Sequence, residues 1–192
     1  WNVPSGKNLE EVCDMLSELP LLFQPGSEWN YGMSTDVLGR VVEVASGMEL
    51  NDFLETRICK PLGMDDTAFW APDDKADRVA MLYAPTPGSK KAFPLTKQAE
   101  AALRRPACWI GGGGMVSTAG DYMRFCDMLR RGGVADPTLG GARLLSPRTV
   151  SYMATNHLPG KADLSEFGRP IFSETTYAGF GFGLGFSVHD DP

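Results

Sequence analysis

A chain of 192 residues with 43% hydrophobic and 22% charged side chains has the make-up of a folded domain with a sizeable core. Its 24 acidic residues outnumber 18 basic ones for a net charge of −6, and no basic stripe with interleaved aromatics appears, which argues against nucleic acid as a partner. No apolar run approaches the roughly 18 residues that span a bilayer, so no membrane span is expected.

The first helix signal is Asn8 followed by Glu11, the spacing of a box that satisfies two backbone donors at a helix start. Leu9, Val12, Leu16 and Leu19 follow at helical intervals until Pro20. An apolar run then meets a Pro25-Gly26 turn, and an aromatic segment delivers Tyr31 to a second predicted helix, from about Ser34 to Ser46. That helix is expected to bury Val37, Leu38, Val41, Val42 and Ala45, and Gly47 suits the left-handed residue that ends it. A short third helix carries Phe53, Leu54 and Ile58 and is expected to break at Pro61.

Residues 71–107 hold five prolines and mixed charge, with short strands expected around Val79–Tyr83 and Ala92–Leu95. Thr118 with Asp121 starts a helix through Tyr122, Phe125, Met128 and Leu129 to a Gly132-Gly133 stop. Ser146-Pro147 sets a capping side chain before a first-turn proline, and Val150, Met153 and Ala154 make that helix's apolar face. Near the C-terminal end, Phe180, Phe182, Leu184, Phe186 and Val188 alternate with Gly181, Gly183, Gly185 and Ser187. Period two predicts one strand whose bare face admits a close neighbour. Little else in the chain reads as its partner, so the sheet is expected to continue outside this sequence.

Cys13, Cys59, Cys108 and Cys126 are too dispersed for a C-x-x-C pair, and the reading favours free thiols in a reducing compartment over disulfides. His157 and His189 stand alone, so neither a structural metal nor any other cofactor is expected. No basic, apolar, small-residue signal pattern opens at Trp1. The chain is expected to begin after processing or within a longer protein, and a cytoplasmic setting is favoured over a periplasmic or secreted one.

Five segments carry chemistry when taken together. They are PLLFQPGSEWNYGMSTDVLGRVVEVASGM (20–48), ICKPLGMDDTAFW (58–70), GGGGMVSTAGDYMRFCDML (111–129), LLSPRTVSYM (144–153) and GFGLGF (181–186). Their order resembles the serine β-lactamase and penicillin-binding-protein superfamily, in particular the branch of class C β-lactamases and family VIII carboxylesterases. The resemblance implies an α/β (α+β) fold, an antiparallel sheet flanked by helices with a helical subdomain, of which this segment would be mostly the helical part. It implies that residues 1–192 are the central and C-terminal part of one such domain.

In that family the serine of an S-x-x-K motif is the nucleophile, and the tyrosine of a Y-x-N motif completes the proton relay. A phenol with pKa about 10 acts as a base only when a nearby cation favours its anion, a role the family's lysine fills. Tyr31 matches that tyrosine, so the resemblance implies it as the general base. No serine in this chain has lysine three positions on, and no K-T-G, H-x-G or W-G-G element is present. Gly32-Met33-Ser34-Thr35-Asp36 also fails as a G-x-S-x-G elbow, and the two histidines lack a recognisable triad. The resemblance therefore implies that the nucleophile helix and the closing strand belong to the remainder of the domain, and that the 192-residue segment alone is inactive.

Met33 occupies the third position of Y-x-N, where asparagine would contact the lysine and a substrate amide. A thioether does neither well, which favours a small-molecule ester over a β-lactam substrate. Gly111, Gly112, Gly113 and Gly114 resemble the family's site-lining loop, and Trp109 beside them is a candidate for the substrate wall, as is Met33. The alternatives are a β-lactamase or D-amino-acid peptidase, and a non-catalytic binding or sensor domain of the same fold.

Overall fold

Apolar spacing and capping residues explain most of the helices in the computed structural model, which describes residues 6–168 and 177–189. Helix α1 spans Leu9–Ser17, and its start is the expected box: Asn8 accepts from the Glu11 amide at 2.9 Å, while Glu11 accepts from the Asn8 amide at 3.0 Å. Helix α2 spans Ser34–Ser46 and ends on Gly47 at φ 67. Of the residues expected to be buried, only Val42 packs against the core, half-buried beside the Leu9 and Leu50 cluster, and Ala45 is exposed. Val37, Leu38, Val41 and Val44 are exposed, and the buried residues are Asp36 and Gly39.

Pro61 does not break the next helix. Helix α3 (Leu50–Leu54) passes through a π-helical turn at Glu55–Cys59 into α4 (Lys60–Leu62), which ends on left-handed Gly63. A proline ring clashes with the carbonyl one turn back and offers no N–H. Widening to an i→i+5 turn just ahead of Pro61 bypasses both problems.

The irregular region holds strands β1 (Tyr83–Pro85) and β2 (Ala92–Pro94), an antiparallel pair with Ala84 opposite Phe93. β1 lies further along the chain than expected. Helix α5 (Thr96–Ala101), which sequence patterning did not reveal, follows at once. Helix α6 (Ala119–Arg130) starts where Thr118 accepts from the Asp121 amide at 3.1 Å. It buries Met128 and packs Phe125 and Leu129 against the same cluster, leaving Tyr122 alone of its predicted apolar face exposed. Helix α7 (Pro147–Met153) starts on Ser146, and α8 (Leu164–Phe167) on Asp163.

The glycine–phenylalanine segment is two strands, not one. β3 (Phe180–Phe182) and β4 (Ser187–His189) pair antiparallel across a turn in which Gly185 takes φ 95. Its nearest strand neighbour is therefore itself. The close approach expected at the bare face is present: a Cβ on Gly181 would sit 2.1 Å from the Asn156 side chain, and one on Gly183 2.2 Å from the Met153 carbonyl. Asn156 accepts from the amides of Leu158 and Phe182 and donates to the Ala162 carbonyl, which ties the hairpin to the 156–162 turn.

Two apolar clusters hold these parts. The first gathers Leu9, Val12, Leu50, Phe69, Cys108 and Trp109. The second gathers Cys59, Leu62, Met64, Met128 and Ala135. The helical run from Leu50 to Leu62 enters both and joins them. Fully burying a Leu, Met or Val side chain stabilises by about 1.5–3 kcal/mol each, so Leu9, Leu62 and Met128 weigh heavily. The four cysteines are free thiols. No helix among the described residues is long and apolar enough to cross a membrane.

Candidate active site

The Pro25-Gly26 turn closes with the Ser27 amide donating to the Gln24 carbonyl at 3.0 Å, and Gly26 supplies φ 83. The chain then runs to Trp29, whose amide donates to the Phe167 carbonyl at 3.1 Å. The Trp29 ring meets Phe182 of β3 with centroids 5.4 Å apart. Trp29 is thus fixed by α8 and by the hairpin at once. Two residues later Tyr31 leaves this anchor with its side chain 67% exposed, just ahead of Met33 at the N-cap of α2. The Asn30 side-chain amide donates to the Tyr31 carbonyl at 3.0 Å, which steadies the backbone there.

These segments border an open cleft of about 850 Å³, within the range of small-molecule sites. Tyr31, Met33 and Gly112 line it together with Trp29, Asp36 and Phe182. The sequence-predicted residues divide here. Gly111 is not part of the lining; it is the packing contact beneath. A Cβ on Gly111 would lie 2.3 Å from the Thr35 carbonyl and 3.3 Å from Gly39 Cα, so this loop and α2 touch backbone to backbone. Gly113 has open space where a side chain would be, and Gly114 takes φ 85 to turn the chain.

Trp109 stands outside the cleft lining, in the first core cluster. Its indole stacks on Trp70 at 6.0 Å, meets Phe69 at 5.2 Å and donates to Glu49 at 3.1 Å, with the Arg105 guanidinium 5.2 Å above the ring. Trp109 is 6% exposed, with its N–H already donated, which is the setting of a core tryptophan.

Sequence reasoning missed Asp36. Its carboxylate is buried, 6% exposed, and Oδ1 accepts from the Gly112 amide at 2.9 Å. Asp163 was missed too. Its carboxyl lies below the usual carboxylate range because the Ser165 hydroxyl and the Gly179 and Glu166 amides donate to it. Through Gly179 it clasps α8 to the start of the hairpin at 2.9 Å. Among the described residues no group of three or more His, Cys, Asp or Glu is placed to hold a metal ion.

A family profile described as Beta-lactamase matches residues 2–192. Protein Rv1367c of Mycobacterium tuberculosis is 33% identical over 191 residues, which are 99% of this chain and 45% of that protein. Esterase EstB of Burkholderia gladioli is 31% identical over 199 residues, 96% of this chain and 45% of that protein. The structure of EstCE1, a hydrolase with promiscuous acyltransferase activity, superposes with a TM-score of 0.76 at 28% identity, covering 97% of this chain and 47% of that one. The chain spans less than half the length of each of these relatives. Ordered motifs, helical architecture and profile agree: the chain belongs to the beta-lactamase family and has the serine β-lactamase fold.

Proposed function

We propose that this chain is the central and C-terminal part of the domain of a serine hydrolase, which cleaves short-chain carboxylic esters through an acyl-enzyme with Tyr31 as general base. The observation that carries the reading is a tyrosine held at the lip of a cleft shared with Met33 and Gly112, between two anchored segments. In the family's scheme the phenolate takes the serine proton as the ester carbonyl is attacked, then returns a proton to the leaving alcohol. Serine and lysine come from the remainder of the domain, and no metal or organic cofactor takes part. The 192-residue segment alone does not turn over.

The exposed apolar side of α2 supports a seat for that remainder, since a contiguous apolar face marks a packing surface. A small-molecule ester is favoured over a β-lactam because Met33 offers an amide side chain no partner of the kind asparagine would. The names of EstB and EstCE1 point the same way. The compartment is proposed as cytoplasmic, on the four free thiols.

The test is hydrolysis of p-nitrophenyl acetate and butyrate by the protein made from its complete reading frame. Tyr31→Phe is expected to lower kcat/KM by about 10²–10⁴-fold, the usual worth of a positioned acid–base group. An unchanged rate overturns the base assignment. Nitrocefin turnover with little ester hydrolysis would favour the β-lactamase reading instead. Failure of both, with no serine labelled by a fluorophosphonate, would favour a non-catalytic binding domain.

A further inference from the structure

The first turn of α2 departs from ordinary helix capping in a way that reaches the cleft. Met33, at the N-cap, makes no side-chain cap, so the helix start is not closed on itself. Asp36 stands three residues on, where an acid in a capping box turns back to the N-cap amide. Here its Oδ1 instead accepts from the amide of Gly112, 76 residues away in sequence, at 2.9 Å. The acceptor is buried while Gly112 is exposed, and a charged acceptor on a backbone N–H is among the stronger hydrogen bonds a protein makes.

Space is tight at Gly112 and closed at Gly111. A Cβ on Gly112 would lie 3.1 Å from Asp36 Oδ2, and one on Gly111 would strike the Thr35 carbonyl at 2.3 Å. The loop therefore rests on α2 at Thr35, Asp36 and Gly39. The Asp36 amide in turn donates to the Met33 carbonyl at 3.1 Å, and Met33 is two residues from Tyr31. The Asp36 carboxylate thus ties the glycine loop to the first turn of α2, whose backbone continues from the turn that presents the tyrosine.

We infer that Asp36 is a positioning residue, which holds the Gly111–Gly114 loop and the Tyr31–Met33 turn in fixed register across the cleft. This rests on the reading of Tyr31 as general base. It acts by placing an acceptor, and its charge is secondary. Misplacing a catalytic group by about 1 Å costs on the order of 10²-fold in rate, which sets the scale of the effect.

The experiment uses the protein from its complete reading frame and three substitutions. Asp36→Asn keeps an oxygen at the same place, Asp36→Glu keeps the charge but moves the oxygen by one methylene, and Asp36→Ala removes both. Two quantities are read. The first is ester kcat and KM per fluorophosphonate-titrated site, so that misfolded protein is not counted. The second is amide exchange in peptides covering residues 110–114.

Asn is expected to keep kcat within about threefold, whereas Glu and Ala lower it by about 10–100-fold with KM little changed. Exchange at 110–114 should rise at least about tenfold in Glu and Ala and stay level in Asn. In a Tyr31→Phe background, Ala should cost less than about threefold more, because the group it positions is already gone. Should Ala fail to fold, Glu carries the same comparison. Unchanged exchange in Glu, or in Ala, overturns the inference. So does equal damage by Asn and Glu, or a full Ala penalty in the Tyr31→Phe background. If Tyr31→Phe alone keeps its rate while Ala frees the loop, the base assignment and the coupling to it fail, and the loop contact stands.

Discussion

Helices α1 and α2 lie against each other yet bury opposite chemistries. α1 turns Leu9 and Val12 inward, as its periodicity dictates. α2 turns Asp36 and Gly39 inward, with only Val42 of its valines against the core, and leaves Val37, Leu38, Val41 and Val44 outside, with Val44 69% exposed. The cause lies in what α2 must meet. Gly39 lets Leu50 and Leu9 approach; a Cβ there would sit 2.9 Å from one methyl and 3.3 Å from the other. Arg40 pairs with Glu10 and Glu43, and Glu43 accepts from the Leu50 amide at 3.0 Å. The stripe through positions 36, 39, 40 and 43 is thus a polar clamp on α1, α3 and the glycine loop. An amphipathic pattern reveals which side of a helix is apolar. It does not reveal which side the neighbours present in this chain will cover.

The largest expected effect would break this comparison outright. Val41→Asp with Val44→Asp should change the stability of the 192-residue chain by less than about 0.5 kcal/mol, the usual range for surface positions. In the protein from the complete reading frame the same pair should cost about 3 kcal/mol or more, because unpaired carboxylates would be buried. Urea unfolding of both proteins measures it. Equal, small losses would make the apolar side of α2 a true surface and remove its role as a seat for the rest of the domain.

The opposite face is probed from the loop. Gly111→Ala puts a methyl against the Thr35 carbonyl, and backbone cannot swing aside as a side chain end can. About 1–3 kcal/mol of destabilisation is expected, the range for overpacking a tight contact. Val44→Ala on the outer face should cost well under that in the 192-residue chain. A neutral Gly111→Ala would mean that loop and helix are not locked together.

How much of this was legible beforehand depended on whether the deciding partners were near in sequence. Caps are local, so Asn8, Thr118 and Ser146 announced α1, α6 and α7 correctly. Tyr31, Met33 and Gly112 do border one cleft, a proximity that motifs in order implied because such order carries tertiary information. What failed was set by distant contacts. Trp109 looked like a cleft residue beside its glycines until Trp70, Phe69 and Glu49 claimed it. The GFGLGF segment read as one strand because alternation is blind to a glycine at φ 95 that turns the chain back. Asp36 was silent for the same reason, since its partner lies in another segment.

The smallest expected effect sharpens the polar face of α2 and concerns Cys108 behind it. Burial pushes this thiol up from the ordinary 9.0 to about 11, with the inward carboxylates of Asp36 and Glu43 adding to the shift. A raised thiol value means fewer thiolates, and at pH 8 a pKa of about 11 leaves roughly one molecule in 10³ reactive. Cys108 should therefore resist iodoacetamide at pH 8 in the folded chain and react on unfolding in urea, as peptide mapping would read. The folded state holds this proton more tightly than the unfolded one. The associated stability is complete below the ordinary thiol value and is lost as pH rises through about 11. Asp36→Asn removes one of the two nearby negative charges, so Cys108 labelling at pH 9 should quicken by a few-fold while the fold persists. Labelling unchanged by Asp36→Asn would mean that the α2 carboxylates do not act on the core thiol, and that burial alone keeps it protonated.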